Sequence, residues 1–358
     1  MKLLKHLFFI SLLIASTGVL HSQDIHWTQF TLSPLTLNPA LTGDFEGTAR
    51  IGGLYRDQYN FVRGQTSGAK GFRTPSFFVD VPILILRDND WLSGGVSIDA
   101  DKAGTGGLTN TRFLASASYH LALDKKATRF LVAGIQYGSV SRKFTDPNDF
   151  RFEDQLSNIS GTSTDLAKVF QSGGPDNPSN SYSGFNFGLM YRAALNKNTN
   201  MNIGTAISYI NQPEATIVID NSESDDAGGP FERPIKITVH GQMDRKINDK
   251  LTIYPAFIFQ NTNEVSVIAI QAMGGYQLEF KEKELQAKAG LGYRVGDAVQ
   301  VLLGAHYDDW QIGLAYDLTA SSLTSANNLR GGFELAVNKI IKIYKEPVVP
   351  PVIFCPDL

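Results

Sequence analysis

Trp310-Gln-Ile-Gly-Leu-Ala-Tyr-Asp-Leu318 decides the fold. In an extended chain successive side chains point to opposite faces. Trp310, Ile312, Leu314, Tyr316 and Leu318 therefore share one side, and Gln311, Gly313, Ala315 and Asp317 share the other. The apolar set carries aromatics toward both ends. A strand that crosses an outer-membrane bilayer needs this composition, with apolar residues toward lipid, Trp and Tyr at the interfaces, and small or polar residues toward the lumen. A half-buried soluble strand alternates as well, so recurrence has to separate the two.

The pattern recurs. Phe185, Phe187, Leu189 and Tyr191 oppose Asn186, Gly188, Met190 and Arg192; Leu285, Ala287, Ala289, Leu291 and Tyr293 oppose Gln286, Lys288, Gly290, Gly292 and Arg294. About fourteen such strands can be drawn, an even number as bacterial outer-membrane barrels have. They run over 47–60, 75–83, 92–101, 108–123, 128–143, 183–195, 200–210, 234–245, 250–260, 265–277, 285–295, 298–307, 310–319 and 329–344. The predicted fold class is all-β, a transmembrane antiparallel outer-membrane β-barrel with a short N-terminal periplasmic or plug-like segment.

The links alternate in length as barrels of this class require. Short ones fall at 196–199, 246–249 and 308–309, and longer ones at 61–74, 145–182, 211–233 and 320–328, although 260–264 and 296–297 are short on the long-link side. With an even strand count both termini are expected in the periplasm. Tyr59, Tyr209, Tyr293 and Tyr316 then fall at outer strand ends, and Tyr119, Tyr191, Tyr307 and Trp310 at periplasmic ends, as two aromatic girdles. Phe150, Phe152, Phe170, Tyr182 and Phe231 lie among polar residues of the two longest loops, a composition suited to a protein contact surface.

The whole chain divides into four parts. Residues 1–22 read as a secretory signal peptide, with Lys2 and Lys5 ahead of an apolar run from Leu7 to Leu20. Residues 23–46 form an N-terminal periplasmic lead or plug-like segment whose Pro34 and Pro39 argue against a strand. The barrel follows over 47–345, and 346–358 is a Pro-rich periplasmic tail. No long apolar run follows the first twenty residues, which excludes a helical membrane protein. The net charge of -3 leaves no basic footprint for nucleic acid. Cys355 is the single cysteine, so no internal disulfide is possible.

Chemistry-bearing constellations are few. His120, His240 and His306 fall on lumen faces, where polar residues are ordinary, without companions at metal-ligand spacing. The acidic loop 220–229 lacks EF-hand spacing, and Gly104-Thr-Gly-Gly107 reads as a hairpin turn. No G-x-S-x-G or Ser/His/Asp ordering is visible. The expectation is a protein that is not an enzyme and holds no metal or cofactor.

Several motifs resemble the PorP/SprF family of type IX secretion and gliding proteins. Gln29-Phe30, Leu37-Asn-Pro-Ala40 and Thr42-Gly43 match the family opening, and Tyr55-Arg56 with Gln58 matches its Y-R-x-Q. Gly313–Asp317, Ser321–Leu323 and Gly331–Glu334 match its closing G-L-x-Y-D, S-S-L and G-G-F-E, and Cys355-Pro356 resembles a C-P near the end of many members. Tyr59 stands where many members have Trp, and Asp357-Leu358 departs from their usual ending.

The resemblance implies an outer-membrane protein of Bacteroidota. It would support export or surface anchoring of an adhesin-like protein bearing a type IX C-terminal signal, alongside other components of the machinery. Gln29, Phe30, Asn38, Pro39, Gly43 and Cys355 are the candidate partner-binding residues on that basis. The alternative is a passive porin; the long outer loops and the ordered N-terminal segment favour a filled lumen over an open one.

Overall fold

A computed structural model describes residues 25–58, 71–87, 89–104, 107–145, 179–215, 231–263, 265–280, 283–322 and 324–343. Fourteen antiparallel strands close into one barrel, each hydrogen-bonded to its sequence neighbours and β1 to β14. They are β1 (Ala49–Gln58), β2 (Phe72–Ile85), β3 (Trp91–Ala103), β4 (Leu108–Ala122), β5 (Arg129–Phe144), β6 (Ser179–Asn196) and β7 (Thr199–Ser208). There follow β8 (Lys236–Lys246), β9 (Leu251–Thr262), β10 (Val265–Phe280), β11 (Lys283–Arg294), β12 (Ala298–Tyr307), β13 (Trp310–Thr319) and β14 (Arg330–Ile341). Closure matters physically, because in hydrocarbon an open sheet edge would leave a row of backbone groups without partners.

The period-two pattern places the apolar sets outward. Phe77, Ile98, Phe113, Ile135, Leu291 and Leu314 are exposed on the outer wall, whereas Leu54, Phe78, Met190, Gln300 and Asp317 are buried inside. Such a continuous exposed apolar belt would be an aggregation hazard in water and is what lipid requires. Tyr293 and Trp310 are exposed at opposite strand ends, as a pair of girdles needs.

Tyr209 does not join them. It takes φ +58 just after β7 and turns into a rim cluster with Val140, Tyr182 and Ala215, against which Phe231 packs. Tyr182 and Phe231 are thus packed at the rim and are not free loop aromatics. Tyr59, Phe150, Phe152, Phe170 and the acidic loop 220–229 lie outside the described residues.

Of the two readings of 23–46, periplasmic lead and plug-like segment, the described residues take the second. The described part of this lead does not hang below the barrel; it runs through it. His26 bonds Gln260 near the long-link rim, Nδ1 to Oε1 at 3.0 Å. The chain then crosses the lumen and leaves at the short-turn rim, where the Thr48 N–H reaches the Ile341 carbonyl. On the way it makes a 3-10 turn at Phe30–Leu32, a helical turn at Pro34–Leu37 and a second 3-10 turn at Pro39–Leu41.

Each turn follows from local chemistry. Pro34 and Pro39 stand at first helical positions, where a missing N–H costs nothing. Asn38 is extended and stops the helical turn, while its side-chain oxygen accepts the Ala40 N–H and caps the next one. Apolar packing closes the remaining space. Phe30, Leu37, Ala40 and Leu41 meet Phe130, Val132, Met190 and Ile258, and Trp27 and Leu35 meet Leu54, Phe78 and Ala336. The lead is a plug.

Candidate functional site: the plug and its buried latches

Closure places Arg56 of β1 directly across from Glu334 of β14, and β13 lies on the far side of β14. All three strands turn a charged side chain inward at this level. The Arg56 guanidinium pairs with Asp317 at 2.8 Å and with Glu334 at 3.0 Å, and all three side chains are almost fully buried. Arg294 joins from β11, 2.6 Å from Asp317. Two guanidiniums thus face two carboxylates, which is how buried charge is tolerated.

The plug completes the network. The backbone N–H groups of Thr28 and Gln29 donate to the two oxygens of Glu334, at 2.8 and 2.7 Å. The Thr28 hydroxyl donates to Asp317 at 2.8 Å and accepts from Arg56 at 2.6 Å. The Thr28 carbonyl accepts from the Gln271 amide at 2.7 Å. Gly313 is needed here, since a Cβ on it would lie 1.8 Å from the Gln29 side-chain oxygen.

A second latch surrounds Asn38, which is fully buried. Its amide nitrogen donates to the carbonyls of Leu189 and Thr205, each at 3.2 Å, and lies 3.0 Å from His240 Nε2. Gly188 supplies the space, because a Cβ there would come within 1.9 Å of Asn38 Oδ1. At the short-turn end a third latch ties Gly43 N–H to Asp80 at 2.7 Å, with Arg50 on the same carboxylate. Beside it Asp44 pairs with Arg192 at 2.6 Å. The Thr42 carbonyl accepts from the Ser118 hydroxyl and lies 2.9 Å from His120 Nε2. His120 itself stacks on Trp91, with ring centroids 4.3 Å apart.

With this geometry in place, comparison with known proteins gives one decisive result. Residues 19–338 match the family of type IX secretion system membrane proteins PorP/SprF. The chain belongs to that family. No curated protein matches it. Among solved structures, the Pseudomonas putida toluene transporter TodX is similar at 11% identity and a TM-score of 0.47, over 86% of this chain and 93% of that one. The Ralstonia pickettii toluene transporter TbuX has the same identity and TM-score, over 86% and 91%. The translocator domain of the Neisseria meningitidis autotransporter NalP is similar at 9% and 0.39, over 82% and 89%.

The PorP/SprF motifs take on a geometric meaning. Gln29 of the opening motif, Arg56 of Y-R-x-Q, Asp317 of G-L-x-Y-D and Glu334 of G-G-F-E meet in the first latch. Asn38 of L-N-P-A makes the second and Gly43 opens the third.

Five of the six residues expected to bind a partner are therefore inside the barrel. Gln29, Phe30, Asn38, Pro39 and Gly43 are all buried against its wall and offer no outward surface in this arrangement. The physical reason is that an Asn-Pro turn satisfies its polar groups most fully where wall carbonyls and a histidine surround it. Cys355 and residues 1–22, expected to be a signal peptide, lie outside the described residues. Sequence reasoning gave no role to Arg56, Asp317 and Glu334, although charge on the inward face of a strand was a signal in plain view.

Proposed function

We propose that this PorP/SprF barrel is a closed outer-membrane platform of the type IX secretion system, supporting export or surface anchoring of a protein that carries a C-terminal secretion signal. The observation that supports this over a passive porin is the plug, held through three latches built from residues of the matched motifs. A freely conducting pore has no use for a lumen filled by its own lead. In this reading the short-turn rim faces the periplasm. The rim is then open to other secretion components, and the long-link side faces the cargo.

The plug is read as transmitting cargo engagement between the two rims, which gives the Asn38-Pro39 turn its role. In a strain lacking this chain, the wild-type gene should restore surface display of a reporter bearing the type IX signal, scored by protease shaving. Asn38→Ala/Pro39→Ala should yield a heat-modifiable barrel of normal abundance and display well below wild type. Normal display from the variant rejects the role of the turn. Normal display in the strain without any copy, with reduced uptake of small hydrophilic solutes, rejects the platform and favours a porin.

A further inference from the structure

The plug does not fill the lumen evenly. Its apolar turns lie against β1 to β6 and β14, together with a few residues of β9 and β10. Along β8–β13 a cavity of about 190 Å³ remains, bordered by Gln242, Asp244, Tyr254, Lys288, His306 and Gln311. A second cavity of about 30 Å³ lies nearer the long-link rim, bordered among others by His26, Gln260, Arg294 and Gln300. A buried water needs roughly 10–15 Å³ of such space and two or more polar partners, so both are wet.

The two cavities stack on one wall. Along β9, Tyr254 and Ala256 border the larger and Ile258 and Gln260 the smaller. Along β10, Met273 and Gln271 border the larger, and Ala269 and Val267 the smaller. On β12 the boundary falls between Leu302 and Gln300. These are successive inward positions, one layer of roughly 7 Å apart at the usual strand rise.

A hydrogen-bonded layer lies between them where β10 and β12 meet the plug. Gln271 donates to the Thr28 carbonyl at 2.7 Å and to Gln300 Oε1 at 2.8 Å. Gly292 of β11 lies between Gln271 and Gln300 in the register, and a Cβ on it would come within 2.5 Å of Gln300 Oε1. The missing side chain lets two glutamines bridge over a strand. Above the layer, β9–β10 and β11–β12 are joined by short links at the long-link rim, 263–264 and 295–297.

We propose that the barrel carries a second, closed conduit for water and small ions beside its plug, and that the Thr28–Gln271–Gln300 layer is its gate. Opening it needs rotation of two glutamine side chains and gives up one plug contact, that of Gln271 with the Thr28 carbonyl, while the plug's bonds to Glu334, Asn38 and Asp80 stay in place. The conduit is thus distinct from a pore made by expelling the plug, and distinct from the platform role.

The test is planar-bilayer recording of the mature full chain and of Gln271→Ala/Gln300→Ala. Chymotrypsin digestion in parallel reports whether Trp27, Phe30 and Phe45 in the plug stay uncut. The expected result is silence for the wild type and discrete conductance steps for the variant, with the plug protected in both. A silent variant overturns the gate. Steps that appear only in samples with a cut plug overturn it too, since the current then runs through space the plug has vacated. Gln271→Leu, which fills the layer without its hydrogen bonds, should stay silent and shows whether side-chain volume alone can close it.

Discussion

Arg56→Ala is expected to be among the most damaging single substitutions in this barrel. Arg56 joins Thr28 of the plug to Asp317 and Glu334 of the wall, and its removal leaves Glu334 without an ion partner in a buried site. Breaking one side of a buried pair costs about 3–5 kcal/mol, because the remaining charge is uncompensated. The loss should show as a lower urea midpoint in detergent and as chymotrypsin cleavage at Trp27 and Phe30. Arg56→Lys should recover little, since one ammonium cannot reproduce the fork that serves Thr28, Asp317 and Glu334 together. Arg56→Ala/Glu334→Gln should cost less than the two single changes summed, as expected for groups in one network. A midpoint for Arg56→Ala equal to wild type, with the plug intact, would remove the latch from this account.

The second large effect belongs to the outer wall. Leu314 and Leu291 point to lipid, and Gln311 borders the lumen cavity. An arginine on the lipid face at mid-membrane costs roughly 2–4 kcal/mol, and far less on a wet inner face. Leu314→Arg and Leu291→Arg should therefore reduce the folded, heat-modifiable band, while Gln311→Arg leaves it unchanged. Equal tolerance of all three contradicts the register.

The strands were legible because their signal is local. A period of two is complete within eight or ten residues, and β12 and β13 coincide with the expected 298–307 and 310–319. Ends drifted where polar residues continue a hydrogen-bonded ladder past the lipid belt, as at Ser179 and at Arg73 and Thr74. Tyr209 was misplaced because a positive φ turns it inward, and no face pattern encodes that.

The plug's location was not legible for a different reason. Thr28 meets Glu334 across 306 residues of sequence, and only closure of β1 on β14 brings them together. Prolines announced that 23–46 was no strand but carried nothing on which side of the wall it lies. The inward charges at Arg56, Asp317 and Glu334 could have pointed there. Charge on the inward face of a barrel strand needs partners, and three such residues on strands that closure makes neighbours supply them for one another.

The central claim is that the N-terminal segment closes the lumen, and single-channel conductance tests it most directly. The chain from residue 23 onward and a variant lacking residues 25–46 would be refolded and recorded in the same bilayers. The account predicts that the full chain is silent and that the deletion gives large, stable open-pore steps. Equal open-pore conductance from the two proteins would contradict it, because the lead could then not be the plug.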